Sequence, residues 1–314
     1  MNKIDTKIPL VIAFTPNYFV PASVCILSVL EHAESRDYFH IICLLTEPLS
    51  DQMQRKLERL GGDRVQYSFI NLEGKLTGIY VDEKYTIAAS YRLLLSDLLP
   101  EYEKVMYIDC DIVVRNNLAK LFRETNLGDN YLAGVYEATL DFQLSHMDSI
   151  GCKPGFYINS GFLIMNLELL RADNMTVKFI AASNSDHLEF PDQDVLNQLC
   201  QGRIIGLPPF YNSIRTFFLP QYKSAFLRYY TEEDWNAVQE HGTIHYTGSK
   251  PWDVFTVKFE HWWRFYKTLP LEIRQEGVVN GKIYQLFKVY DTFMGRWLIN
   301  TVQVLYRTLK YKQN

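Results

Sequence analysis

Two carboxylates one residue apart, Asp109-Cys110-Asp111, interrupt an apolar stretch, with Val105-Met106-Tyr107-Ile108 before them and Ile112-Val113-Val114 after. Taken alone, such a pair also occurs at turns and helix caps. Surface turns seldom sit inside apolar runs, however, and a carboxylate held among apolar neighbours needs a cationic partner or a metal. Two hard oxygen ligands suit Mn²⁺ or Mg²⁺. A divalent cation there acts as a Lewis acid toward a leaving group that gains negative charge, as a departing diphosphate does. A third ligand is then needed from elsewhere in the chain. The segment His245-Tyr246-Thr247-Gly248-Ser249-Lys250-Pro251-Trp252 offers an imidazole, a glycine that permits close backbone approach, and a lysine able to meet phosphate. A lone histidine at a strand end is more often structural; the lysine five residues on gives the ligand reading its weight.

These residues need a scaffold, and the pattern around them describes one. Short runs rich in β-branched residues, Ile8-Phe14, Phe39-Leu45, Val65-Ile70, Val105-Ile108 and Leu132-Val135, alternate with longer helical patterns. That alternation predicts βαβ units and a mostly parallel sheet. Helices are predicted over Pro21-Ala33, over Ser50-Leu60 with a stop at Gly61-Gly62, and over Ala88-Leu99 with a stop at Pro100. A strand over Phe156-Asn166 and helices over Met175-Asn184 and Asp192-Leu199 follow, and then irregular sequence rich in Pro, Tyr and Phe runs to about Phe226. In open α/β sheets ligands bind beyond the carboxyl ends of the strands. Asp109 and Asp111 stand at such an end.

With 314 residues and 47% hydrophobic content, the chain can bury one large core, or one main domain with a small addition. A net charge of -4 excludes the overall basic field of a nucleic-acid binder. Cys25, Cys43, Cys110, Cys152 and Cys200 have neither metal-ligand spacing nor an even count, so reduced thiols in the cytoplasm are expected. No apolar run approaches the ~18 to 20 residues that cross a bilayer. The run after Lys3 and Lys7 is broken by Pro9 and lacks a small-residue cleavage site, so it reads as a first strand and not as a signal core. No Gly-x-Gly-x-x-Gly or Walker-type lysine loop is present, which disfavours dinucleotide oxidoreductases and P-loop enzymes, and Thr15-Pro16-Asn17-Tyr18 is not the glycine-rich loop of a nucleotidyltransferase. A catalytically silent carbohydrate- or nucleotide-sugar-binding protein is the competing reading, given 14% aromatic residues; the metal carboxylates together with Lys250 speak against it.

Three further segments complete an ordered set: Ser90-Tyr91-Arg92-Leu93, Tyr157-Ile158-Asn159-Ser160-Gly161-Phe162, and Phe190-Pro191-Asp192-Gln193-Asp194-Val195-Leu196-Asn197. With the two motifs above, the chain from about Ile8 to Trp252 resembles glycosyltransferase family eight, the retaining group that contains glycogenin and bacterial lipopolysaccharide galactosyltransferases. The resemblance implies an α/β protein of GT-A fold with a mixed, mostly parallel sheet, a catalytic domain over 1–255 and a C-terminal helical appendage over 256–314. It implies a UDP-hexose donor, a Mn²⁺ or Mg²⁺ ion, a carbohydrate or glycolipid acceptor and retention at the anomeric carbon. Asp109, Asp111 and His245 would hold the metal; Gly248 and Lys250 would meet the diphosphate. Arg92, Asn159 and Asp192 would fix the donor sugar, and Gln193 would lie near the reacting carbon opposite the leaving group. Thr15, Asn17, Tyr18, Cys110, Ser160 and Gly161 complete the expected donor site. Two features depart from the pattern: Thr15 stands where bacterial relatives often carry an aspartate, and Gly248-Ser249-Lys250 is one residue tighter than the usual Gly-x-x-Lys. Glu137 and the loop from Pro208 to Tyr222 are candidate acceptor contacts.

The end of the chain has its own signature. Ile283, Phe287, Tyr290, Met294, Trp297, Thr301, Leu305 and Leu309 recur at spacings of three and four, predicting one amphipathic helix. Lys282, Lys288, Arg296, Arg307, Lys310 and Lys312 face only Asp291, so 281–314 carries +5 and the remainder -9. Such a helix either packs on the catalytic domain or docks peripherally on the anionic cytoplasmic face of a membrane.

Overall fold

The structure is a computed structural model that describes residues 7–76, 87–185, 188–299 and 301. Among the described residues the ten strands in chain order are β1 (Lys7–Phe14), β2 (Tyr38–Leu45), β3 (Val65–Asn71), β4 (Lys104–Asp109), β5 (Ile112–Val113), β6 (Leu132–Tyr136), β7 (Ile158–Asn166), β8 (Ile204–Gly206), β9 (Ser213–Ile214) and β10 (Ile244–His245). Seven form one sheet in the order β3-β2-β1-β4-β7-β6-β8, and β5-β10-β9 form a second, small one. Only β7 runs antiparallel to its neighbours in the large sheet.

Alternation along β1 divides the core. Leu10, Ile12 and Phe14 join a cluster with the Phe19–Glu31 helix and the Phe259–Thr268 helix. Val11 and Ala13 join the opposite cluster, with Tyr91, Leu95, Leu170, Phe179 and Val195. Successive side chains of a strand point to opposite faces, so a strand covered on both sides is largely apolar, as β1 is after Lys7 and as β2 is apart from His40, whose ring nitrogens pair with the Tyr102 and Ser68 hydroxyls.

The topology gathers the chemistry at one edge. The chain leaves β1 toward β2 and β3 and returns as β4 on the other side of β1, so the crevice lies between the carboxyl ends of β1 and β4, where Ala13 pairs with Asp109. Being antiparallel, β7 starts where β4 ends, with Phe162 opposite Ile108, which delivers Asn159, Ser160 and Gly161 to the same edge. In the small sheet Ile112 pairs with His245. Residues distant in sequence thus meet beside Asp111.

Two predicted elements differ in form. Ala88-Leu99 is not one α-helix: Ile87–Ser90 and Leu95–Leu98 flank a 3₁₀ turn at Tyr91–Leu94. The cause is Arg92, whose side chain turns into the core and whose Nε donates to the Ala89 carbonyl at 2.7 Å. At the C-terminus the predicted stripe is interrupted. A helix over Gly281–Tyr290 ends at Asp291, and the chain is helical again over 293–299 and at 301, with the Thr292 hydroxyl capping Gly295 N at 3.1 Å. Phe287 and Tyr290 join the core cluster of Trp262, Trp263 and Tyr266, whereas Phe293, Met294 and Trp297 are exposed. Leu305, Arg307, Leu309, Lys310 and Lys312 lie outside the described residues.

Candidate active site

The turn at Cys110-Asp111, between β4 and β5, presents both carboxylates to His245. Imidazole Nε2 is 3.4 Å from Asp111 Oδ1 and 3.7 Å from Asp109 Oδ2, and one ligand atom from each residue falls within 4.8 Å of the others. The other ring nitrogen, Nδ1, is 3.0 Å from Asn212 Oδ1. The Asn212 amide is itself oriented, since its Nδ2 donates to Asn159 Oδ1 at 2.9 Å. Its carbonyl oxygen therefore faces the ring and can accept from Nδ1–H, which leaves Nε2, on the side of the carboxylates, as the ring nitrogen able to serve a metal ion.

Gly161 shows how closely these groups are packed. A Cβ there would stand 2.2 Å from His245 Cε1 and 2.7 Å from Asp109 Oδ2. Two carboxylates and an imidazole in a cradle that admits no side chain fit Mn²⁺ or Mg²⁺, which would fill its remaining positions with substrate or water oxygens.

Lys250 ion-pairs with Asp111 and donates to the Tyr246 carbonyl at 2.9 Å. Burial works to raise the Asp111 carboxyl, but Lys250 and His245 outweigh it and hold it well below the usual carboxylate range. Burial likewise works to lower the Lys250 ammonium, and Asp111 more than reverses that. Cys110, pushed up by burial, stays a neutral thiol. Gly248, with φ at +81°, takes the left-handed turn that glycine favours and leads the chain to Lys250.

Arg92 is almost wholly buried, and its donors go to protein: Nη2 to Asp109 at 2.8 Å, Nη1 to the Ser160 carbonyl, and Nε to within 3.1 Å of Asp192. One guanidinium thereby fixes the Asp109 and Asp192 carboxylates relative to each other. Asp192 also accepts from Ser160 Oγ at 3.0 Å; burial leaves its carboxyl raised although Arg92 opposes this.

Gln193 accepts from Ser160 N at 2.9 Å through Oε1, and its Nε2 lies 3.3 Å from Glu137 Oε1. Glu137 also accepts from Asn159 Nδ2 at 3.0 Å. Burial raises the Glu137 carboxyl; hydrogen bonds from Asn159, Gln193 and Gln143 restrain the rise. Asp194 does not enter the cavity. It is fully buried, accepts from the Glu189 and Phe190 amides at 2.9 and 3.0 Å, and bonds Tyr157 and His146. It thereby secures the start of the Pro191–Leu199 helix that carries Asp192 and Gln193.

Two cavities meet at this centre. One of about 430 Å³ is lined by Phe14, Thr15, Tyr18, Tyr107 and Cys110; the other, of about 460 Å³, by Arg92, Glu137, Asn159, Asp192, Gln193 and His245. Asp109, Asp111, Gly248 and Lys250 line both. Asn17 does not reach either cavity; it is exposed and accepts from the Thr15 hydroxyl.

A sequence profile for glycosyl transferase family 8 matches residues 9–255. The chain belongs to glycosyl transferase family 8. Among family members, it is 28% identical over 249 residues to the lipopolysaccharide glucosyltransferase WaaO of Escherichia coli K12, an alignment covering 75% of this chain and 70% of that protein. It is 30% identical over 179 residues to general stress protein A of Bacillus subtilis, covering 54% of this chain and 61% of that one. Its fold is GT-A: the structure of the galactosyltransferase LgtC, bound to donor and acceptor sugar analogs, superposes with a TM-score of 0.70 at 24% identity over 86% of this chain and 100% of that one. The bifunctional glycosyltransferase WbbM matches with a TM-score of 0.74 at 22% identity, over 88% of this chain and 53% of that one.

For this family 8 member, motif reading found Asp109, Asp111 and His245 but missed Asn212. That residue sits in the irregular stretch, and its neighbour strands β9 and β10 are two residues long. No periodicity is legible over two residues. The only signal available was a polar residue before the short Ser213-Ile214 step. Glu137 was legible as a residue following a strand, but its bond to Gln193 was not.

Proposed function

We propose that this chain is a retaining hexosyltransferase that moves glucose or galactose from a UDP-hexose to a glycan or glycolipid acceptor with Mn²⁺ or Mg²⁺. The observation that carries this reading is the pair of cavities joined at Asp109, Asp111, Gly248 and Lys250. One cavity suits a nucleoside and the other a sugar with its acceptor, and the diphosphate between them would lie at the groups that neutralise it.

In this reading Thr15 and Tyr18 meet the nucleoside, and Gly248 and Lys250 the diphosphate. Asp109, Asp111 and His245 would hold the ion, which would supply Lewis-acid stabilisation of the leaving group. Asn159, Ser160 and Asp192 orient the hexose, with Arg92 holding Asp192 and Asp109 in register. The bond from the anomeric carbon to the diphosphate oxygen breaks as the acceptor oxygen bonds to the same face, and the acceptor proton passes to the departing phosphate oxygen. The Gln193 amide is a neutral, poor nucleophile, so positioning and electrostatics provide most of the acceleration. The names of the lipopolysaccharide glucosyltransferases in the family support a glycolipid acceptor.

The same reading places the enzyme at the cytoplasmic face of a membrane. No helix among the described residues is long and apolar enough to cross a bilayer. Phe293, Met294 and Trp297 are 89%, 80% and 66% exposed on a segment that also carries Arg296, the composition of an interfacial contact.

Proton NMR of the newly formed anomeric centre tests the stereochemistry. An α-linked donor should yield an α-linked product; a β-linked product would remove the retaining mechanism.

A further inference from the structure

Beside the sugar-side cavity lies a second groove of about 580 Å³, formed where the segment after β6 faces the Pro220–Tyr222 turn and the Lys223–Phe226 helix. Leu140 and Phe142 line both it and the sugar-side cavity, so the two are continuous along one wall. We propose that this groove is an extended acceptor subsite that holds the next one or two sugar rings of an oligosaccharide, behind the ring whose hydroxyl is glycosylated. The proposal rests on the glycosyltransferase reading above and adds the class of acceptor.

Three observations favour a neutral saccharide as the occupant. Phe142 is 77% exposed on the ridge between the cavities and has no ring partner among the described residues. An exposed aromatic face beside a reaction cavity is a platform for the apolar face of a pyranose. The opposite wall supplies Tyr222, Gln221 and Ser224, whose side-chain polar groups have no hydrogen-bond partner among the described residues. Hydroxyls and a primary amide both donate and accept, as sugar hydroxyls do. Finally, the groove's cation is already committed: Arg228 Nη1 is 2.7 Å from Asp141 Oδ1 and its Nη2 donates to the Thr139 carbonyl at 3.1 Å. A phosphate or carboxylate would have to compete with Asp141, whereas a neutral polyol need not.

The test is acceptor kinetics on the full chain with a UDP-hexose donor. Glucose- and galactose-terminated mono-, di- and trisaccharides serve as acceptors, and donor hydrolysis without acceptor is the control. The expected result is a kcat/KM that rises about tenfold or more from monosaccharide to trisaccharide through KM, a tenfold step corresponding to about 1.4 kcal/mol of added contact. Ser224→Trp fills the groove from an exposed position, and Tyr222→Ala removes its aromatic wall. Both should reduce the trisaccharide to the monosaccharide value, and Ser224→Trp should leave donor hydrolysis unchanged. Equal kcat/KM at every length, the same fractional loss for short and long acceptors in Ser224→Trp, or hydrolysis of donor with transfer to no saccharide would each overturn the subsite alone. Absence of donor hydrolysis would overturn the glycosyltransferase reading with it.

Discussion

Asn212 Oδ1 lies 3.0 Å from His245 Nδ1, and this one contact decides which imidazole nitrogen faces Asp109 and Asp111. Orienting partners of metal-binding histidines typically contribute about 10–100-fold in metal affinity. Asn212→Ala should weaken Mn²⁺ binding by that factor with the fold intact. Electron paramagnetic resonance titration of free Mn²⁺ in the presence of UDP reads the affinity without turnover. An unchanged Mn²⁺ affinity would mean that the tautomer is set by some other contact.

Glu137 is a positioning residue for Gln193 in this account. Its carboxylate accepts from Gln193 Nε2 and Asn159 Nδ2, and hydrogen bonds to a charged group contribute about 1.5–3 kcal/mol. Glu137→Gln should accordingly lower kcat by about 10–100-fold, with a smaller change in donor KM. Burial raises this carboxyl, so it gains a proton as the pH falls at a point above the ordinary 4.5, and one acceptor oxygen becomes a donor. The kcat profile of the unmodified enzyme should therefore show an acid limb above that value, which Glu137→Gln removes. A limb that persists in Glu137→Gln assigns it to another group.

The C-terminal segment should separate into two roles at Asp291-Thr292. Phe287 is buried and stacks near Trp263 at 6.4 Å between ring centroids, so Phe287→Ala should cost about 3–5 kcal/mol of stability, read from denaturant unfolding. A chain ending near Gly277 loses Phe287 and Tyr290 from the core; one ending after Thr292 keeps them. The chain ending after Thr292, and the double change Phe293→Ser and Trp297→Ser, should retain donor hydrolysis and lose low-salt sedimentation with anionic liposomes. Each cation near the headgroups contributes roughly 1 kcal/mol, and salt should release the full-length chain. Failure of the full-length chain to bind such liposomes at low salt would leave the segment a structural extension.

Much of this was legible in the residues. The strands that carry Asp109 and Asn159 are apolar runs, readable because burial on both faces leaves no polar alternation to confuse them. Asp109, Asp111 and His245 could be paired as ligands by chemistry alone. The bond to Asn212 could not, because it depends on the register that sets His245 beside Ile214 in a two-residue ladder. The tightened turn at Tyr91–Leu94 was equally hidden, since it follows from Arg92 reaching Asp109 and Ser160 and not from any local propensity. Periodicity at the C-terminus found the apolar stripe but could not tell Phe287, which meets Trp263, from Trp297, which meets solvent.

The central claim is that Asp109 and Asp111 bind the ion that makes a UDP-hexose a donor. It is tested most directly by UDP release from a panel of UDP-hexoses with and without Mn²⁺, for the unmodified chain and Asp111→Asn. An amide cannot replace the anionic ligand, so the account predicts release that requires Mn²⁺, favours one hexose, and disappears in Asp111→Asn together with the Mn²⁺-dependent part of UDP binding. Full release by Asp111→Asn, or release that ignores Mn²⁺ and Mg²⁺ alike, would contradict it.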